Sequence, residues 1–146
     1  MQIKQQVTIQ EFDEFVSRPE NADRLFEYIN GEIIEVVSNN YSSIIAQNIS
    51  TELGIFIKTK GLGWLTGADG GYKVAGQDCI PDAAFISFAR QPKPSTDTYN
   101  PKHPDLAVEV LSPYDKPAKV KEKIEYYIQA GVLLWLVDPD RREIDV

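Results

Sequence analysis

Two acidic residues stand where the sequence otherwise calls for apolar strand. In "DLAVEVLSP", Asp105 to Pro113, Leu106, Val108 and Val110 fall on one face and Ala107 and Leu111 on the other, and Glu109 interrupts the second set. An ionised carboxylate taken out of water without a partner is costly, so a Glu in such a place is neutralised, paired with a cation or bound to a metal. In "IPDAAFIS", Asp82 opens a second apolar strand, on the same face as Ala84 and Ile86. If the two strands are neighbours, the carboxylates meet at one edge of the sheet. Carboxylates about 3 to 5 Å apart repel unless a cation lies between them, and hard divalent ions such as Mg²⁺ take oxygen ligands in this way. The competing reading is a strand-entry turn at Pro81-Asp82 and a buried ion pair between Glu109 and a Lys or Arg. Spacing leaves both open.

The elements that must position these residues follow from periodicity and punctuation. Thr8 and Glu11 in "TIQEFDEFV" form a capping-box pattern, which predicts a short helix from about Ile9 to Ser17, ending before Pro19. "RLFEYINGEIIEVV" carries two β-rich runs around Asn30-Gly31, the strongest short-range hairpin signal. A longer helix is expected from Ser38 or Asn39, with Ile45, Ile49, Leu53 and Phe56 or Ile57 at helical spacing and Gly61 past its end. "GWLTGADGGYKV" reads as two short strands or a bent hairpin, and Ala89 to Pro104, with four prolines, as a loop. "KPAKVKEKIEYYIQAG" gives a helix from about Pro117 to Ala130 that stops at Gly131, "LLWLVD" a strand, and "REIDV" the start of another. The order is that of an α/β fold with one mixed sheet flanked by helices. The helix at 117 to 130 makes a right-handed crossover between parallel strands at 105 to 111 and 133 to 138.

Length and composition set bounds. With 146 residues, 42% hydrophobic and 25% charged, the chain is expected to form one domain over residues 1–146. Its end directly after a charged strand start leads us to expect a further C-terminal element. One Cys and one His exclude an internal disulfide and make a structural zinc site of several thiolates or imidazoles untenable. The N-terminus lacks the apolar core of a signal peptide and no segment is apolar enough to cross a bilayer, so a cytoplasmic location is the default expectation. A net charge of −7 argues against general affinity for nucleic acid but leaves room for a local basic patch. Lys116, Lys119, Lys121 and Lys123 gather in one place, with Glu122 and Glu125 interleaved, and the plain reading of such a run is a solvated helix face. "GADGG" lacks the Gly-Lys-Ser/Thr ending of a phosphate-binding loop, and Cys79 reads as a buried small residue, since no His stands near it in sequence.

"IPDAAFIS", "PDLAVEVLSP" and "KVKEKIEYYIQAGVLLWLVDPDRREIDV", together with the hairpin "LFEYINGEIIEV", resemble the putative restriction endonuclease family of the PD-(D/E)xK nuclease superfamily over about Leu25 to Val146. The resemblance implies a restriction-endonuclease-like fold with the N-terminal hairpin as an extension. It also implies a Mg²⁺- or Mn²⁺-dependent endonuclease acting on nucleic acid, with DNA the expected form. Asp82 and Glu109 match the two acidic metal ligands, and Glu32 matches an acidic position that serves as a third ligand or lies behind the ligands. The superfamily's Glu-x-Lys pattern is broken here, because Leu111 stands where the lysine belongs. In this family a lysine on the following helix takes over, and Lys123 occupies that position. Helical geometry agrees that this is feasible without choosing a residue. Val120, Ile124, Tyr127 and Ile128 form the expected buried stripe, and Lys121 and Lys123 flank it on opposite sides. Ser42 or Ser43 falls where family members often carry a His.

Two functions therefore compete: a metal-dependent nuclease, and a catalytically inactive binding or assembly module of the same fold. A homodimer is the expected assembly if both strands of a duplex are cut.

Overall fold

The computed structural model describes residues 6–146; the first five, part of the stretch read as lacking a leader, lie outside it. Helix α1 spans Ile9–Ser17, and its cap is the expected one: the Thr8 hydroxyl accepts the Glu11 amide at 3.1 Å. Strands β1 (Phe26–Ile29) and β2 (Glu32–Glu35) form the hairpin, with Asn30 and Gly31 both at positive φ as a type I′ turn requires. Helix α2 spans Asn40–Lys60, begins on the Asn39 side-chain cap and ends with Gly61 in the left-handed conformation. There follow β3 (Gly63–Thr66), β4 (Gly71–Val74), β5 (Gln77–Cys79), β6 (Ala83–Ser87), β7 (Tyr99–Asn100) and β8 (Leu106–Val110). Helix α3 (Pro117–Ala130), β9 (Leu133–Asp138) and β10 (Glu143–Asp145) complete the chain.

These strands form two mixed five-stranded sheets flanked by the three helices. One has the order β10-β9-β8-β6-β3 and the other β2-β1-β5-β4-β7. The strand carrying Glu109 is central, as its two-sided apolarity requires: β8 pairs parallel with β9 across the α3 crossover and antiparallel with β6. Leu106, Val108 and Val110 pack with Ala83 and Val137 against Ala46, Ile45, Ile49 and Leu53 of α2. On the opposite face Ala107 and Ala84 meet Ile29, Tyr72, Val74 and Cys79 of the second sheet together with Tyr127 of α3. Those two alanines let the sheets and α3 approach closely. On the far side of the second sheet α1 covers Phe26, Ile80 and Tyr99 with Phe12, whose complete burial stabilises by about 1.5–3 kcal/mol.

The α/β class and flanking helices match the expectation, and the second sheet is what the structure adds. The N-terminal hairpin joins β5, β4 and β7 to form it, and of the two readings of "GWLTGADGGYKV" the structure has the two short strands, β3 and β4, placed in different sheets. The proline-rich segment contains the two-residue strand β7, parallel to β4. On α3 the stripe is rotated from the one expected. Ile128 is 68% exposed, while Tyr127 is fully buried and Lys123 is turned inward with it. Counting apolar residues placed the centre of that face wrongly, because an ion-paired lysine occupies part of it. No helix among the described residues is long and apolar enough to cross a membrane.

Candidate functional site

The register of β6 and β8 decides where the two acids go. Ala83 pairs with Val108, and carrying the antiparallel register one step further sets Asp82 opposite Glu109. Pro81, almost fully buried, fixes the lead-in, and Asp82 Oδ2 accepts the Val110 amide at 2.6 Å. Helix α3 delivers two polar groups to the same point from consecutive turns. The Tyr127 hydroxyl donates to Glu109 Oε1 at 2.8 Å, and Lys123 Nζ lies 3.2 Å from that oxygen. From the second sheet comes Glu27, only 6% exposed, whose Oε1 and Oε2 accept from Lys123 Nζ at 3.0 and 3.2 Å. Glu27 Oε2 also accepts the Ile80 amide at 2.7 Å. These side chains line a cleft of about 680 Å³ between the hairpin, the ends of β6 and β8, and α3, with Ile34, Val110 and Leu136 among its apolar walls.

Electrostatics in the cleft reflect three acids facing one buried ammonium. Burial pushes the Glu109 carboxyl up to about 8, and the charges of Glu27 and Asp82 push the same way against Lys123 and the Tyr127 hydroxyl. Asp82 is also raised, first by burial, which the Val110 amide and Lys123 oppose. Burial works against the Lys123 ammonium, yet Glu109 and Glu27 together hold its pKa well above the ordinary lysine range. Tyr127 is pushed well up by burial and by Glu109, so it stays a hydroxyl donor.

Among the described residues no group of three or more His, Cys, Asp or Glu side chains is gathered so as to hold a metal ion. The pair Asp82 and Glu109 nevertheless suits one kind of ion. Mg²⁺ is commonly held by one or two carboxylates while keeping several waters, and a divalent cation beside Glu109 would favour the ionised form that burial, Glu27 and Asp82 otherwise oppose.

The structure thus brings Asp82, Glu109 and Lys123 together. Of the two lysines that periodicity left open, Lys123 lines this cleft, whereas Lys121 is exposed and borders a smaller groove. Glu32 lines the same cleft but its carboxylate lies 3.2 Å from Lys119, and it does not join Asp82 and Glu109 in a three-acid group. Lys119 and Lys123 are paired, not part of a solvated face. Ser42 is buried and its hydroxyl donates to the Leu111 carbonyl at 3.0 Å, tying α2 to the end of β8. Cys79 is fully buried, as expected. Glu27 was not singled out from the sequence. The available signal was the one that exposed Glu109: an acid sharing a strand face with apolar neighbours, here Leu25 and Ile29.

Fold and cleft together define an α/β protein of two mixed sheets with an acid and lysine constellation at the ends of neighbouring strands. The chain belongs to the Uma2 family, described as "Putative restriction endonuclease", whose pattern matches residues 11–146. It is also similar to the crystal structure of "a putative nuclease belonging to DUF820" from Anabaena variabilis, with 25% identity and a TM-score of 0.74, covering 88% of this chain and 73% of that one. No curated protein sequence matches the chain.

Proposed function

We propose that this chain is a divalent-metal-dependent endonuclease that hydrolyses phosphodiester bonds in nucleic acid, with DNA as the expected substrate. The observation that carries the reading is Asp82 facing Glu109 across neighbouring strands, with Lys123 Nζ 3.2 Å from Glu109 Oε1, on an open cleft. Family membership and the nuclease named in the similar structure support it. Asp82 and Glu109 would hold Mg²⁺ or Mn²⁺, which when bound supplies Lewis acidity and lowers the pKa of an attacking water. The protein's own contributions are then definable. The Val110 amide orients Asp82, the Tyr127 hydroxyl orients Glu109, and Lys123 keeps a full positive charge beside the position where negative charge develops on the phosphate. Our reading assigns Glu32 to its pairing with Lys119 and not to the metal.

A second reading, a non-catalytic module of the same fold, draws on one observation: among the described residues the acids do not form a group of three able to hold a metal. A titration of Mg²⁺ and Mn²⁺ in a cleavage assay on single- and double-stranded DNA and RNA separates the two. The nuclease reading expects ion-dependent cleavage of at least one substrate. No cleavage of any of them with either ion leaves the module. If duplex DNA is the substrate, cutting both strands calls for two copies, and sedimentation of the active protein should show a homodimer.

A further inference from the structure

We infer that Glu27 is a positioning residue for Lys123, so that the hairpin sheet completes the site instead of merely covering it. The inference deepens the nuclease reading and rests on it for its kinetic part only.

Lys123 reaches the cleft from a helix, at the end of a four-carbon stem whose free rotamers carry about 2 kcal/mol of entropy. An amine delivered that way needs an anchor if it is to hold one position. Glu109 alone is a weaker anchor, because it meets Lys123 through a single oxygen, Oε1, which also accepts the Tyr127 hydroxyl at 2.8 Å. Glu27 presents both oxygens to the amine, at 3.0 and 3.2 Å. It is itself held by the Ile80 amide at 2.7 Å, two residues before Asp82. One carboxylate therefore ties α3 and the lead-in to β6 to strand β1. The cost of burying Glu27 is met by three short contacts.

The test uses the full chain with ¹⁵N-labelled lysine and the variants Glu27→Gln and Glu27→Asp, whose circular dichroism should match the wild type. An immobilised, ion-paired ammonium exchanges slowly enough to be seen by NMR. The Lys123 signal, assigned by its disappearance in Lys123→Ala, should be present in the wild type, lost in Glu27→Gln and partly retained in Glu27→Asp. In cleavage assays with Mg²⁺, Glu27→Gln should lower kcat by about 10- to 100-fold, the size typical of removing a group that orients an active-site residue, with KM nearly unchanged. Glu27→Asp should recover part of that loss. Added to Lys123→Ala, Glu27→Gln should cost almost nothing more, because the two act as one unit. A persistent ammonium signal in Glu27→Gln overturns the inference, as does an equal kcat loss from Glu27→Gln with and without Lys123. If the wild type cleaves nothing, the nuclease reading fails while the NMR comparison still decides whether Glu27 holds the lysine.

Discussion

Two buried carboxylates, Glu109 and Asp78, sit in different sheets, and each has a lysine within reach. Asp78 is 1% exposed, with Oδ1 2.8 Å from Lys73 Nζ, its direct cross-strand neighbour in the tight β4–β5 pairing. That lysine is 44% exposed and its amine also lies over the Tyr99 ring. Asp78 Oδ2 finds no hydrogen-bond partner among the described residues. Glu109, by contrast, shares its lysine with a third element, takes a tyrosine hydroxyl, and stands opposite a second acid on an open cleft. Both carboxyls are raised, burial being the leading cause in each. Burial of charge therefore does not by itself mark a functional group. A pair made by adjacent positions of one hairpin forms as a by-product of the strand register. A constellation that needs β1, β6, β8 and α3 together has no such local origin.

The comparison can be broken by substitution. The largest effect is expected at Asp82. Asp82→Asn should abolish both cleavage and the weak Mg²⁺ or Mn²⁺ binding measured by calorimetry, and unchanged ion binding would remove the metal from this place. Next comes the lysine. Lys123→Ala should lower the cleavage rate by about 10²-fold or more, the loss seen for one preorganised electrostatic donor. Exposed Lys121→Ala should cost much less, and equal losses would mean that the helix acts only through its overall charge. The smallest effect is expected at Asp78. Asp78→Asn should leave cleavage unchanged and alter only the pH dependence of folding. The Asp78 carboxyl binds its proton more tightly in the folded chain than in the unfolded one. Its stability contribution is therefore complete below the unfolded carboxylate pKa and is lost as pH rises through the raised folded value. Urea denaturation across that window should show the variant, which cannot titrate, gaining on the wild type as pH rises. A relative loss instead would mean that pairing with Lys73 outweighs burial.

Much of this was readable from residue order where the cause is local. Asn30-Gly31 dictated a type I′ hairpin, Asn39 and Gly61 bounded α2, and the apolar run around Glu109 required a strand covered on both faces. Asp82 and Glu109 stood out because each breaks such a run. The second sheet was not readable, since β5 has three residues and β7 two, too few to carry a period of two. The inward turn of Lys123 was hidden because periodicity reads a lysine as polar and therefore outward. What reverses that reading is Glu27, whose place beside α3 depends on how the two sheets pack.

The clamp between Glu27 and Lys123 joins residues 96 positions apart. A contact of that span draws its geometry from the packing of β1 against α3 and not from any local stretch of chain. A loosening of the β1–β2 hairpin would disconnect the lysine while β8, β9 and α3 still hold their places.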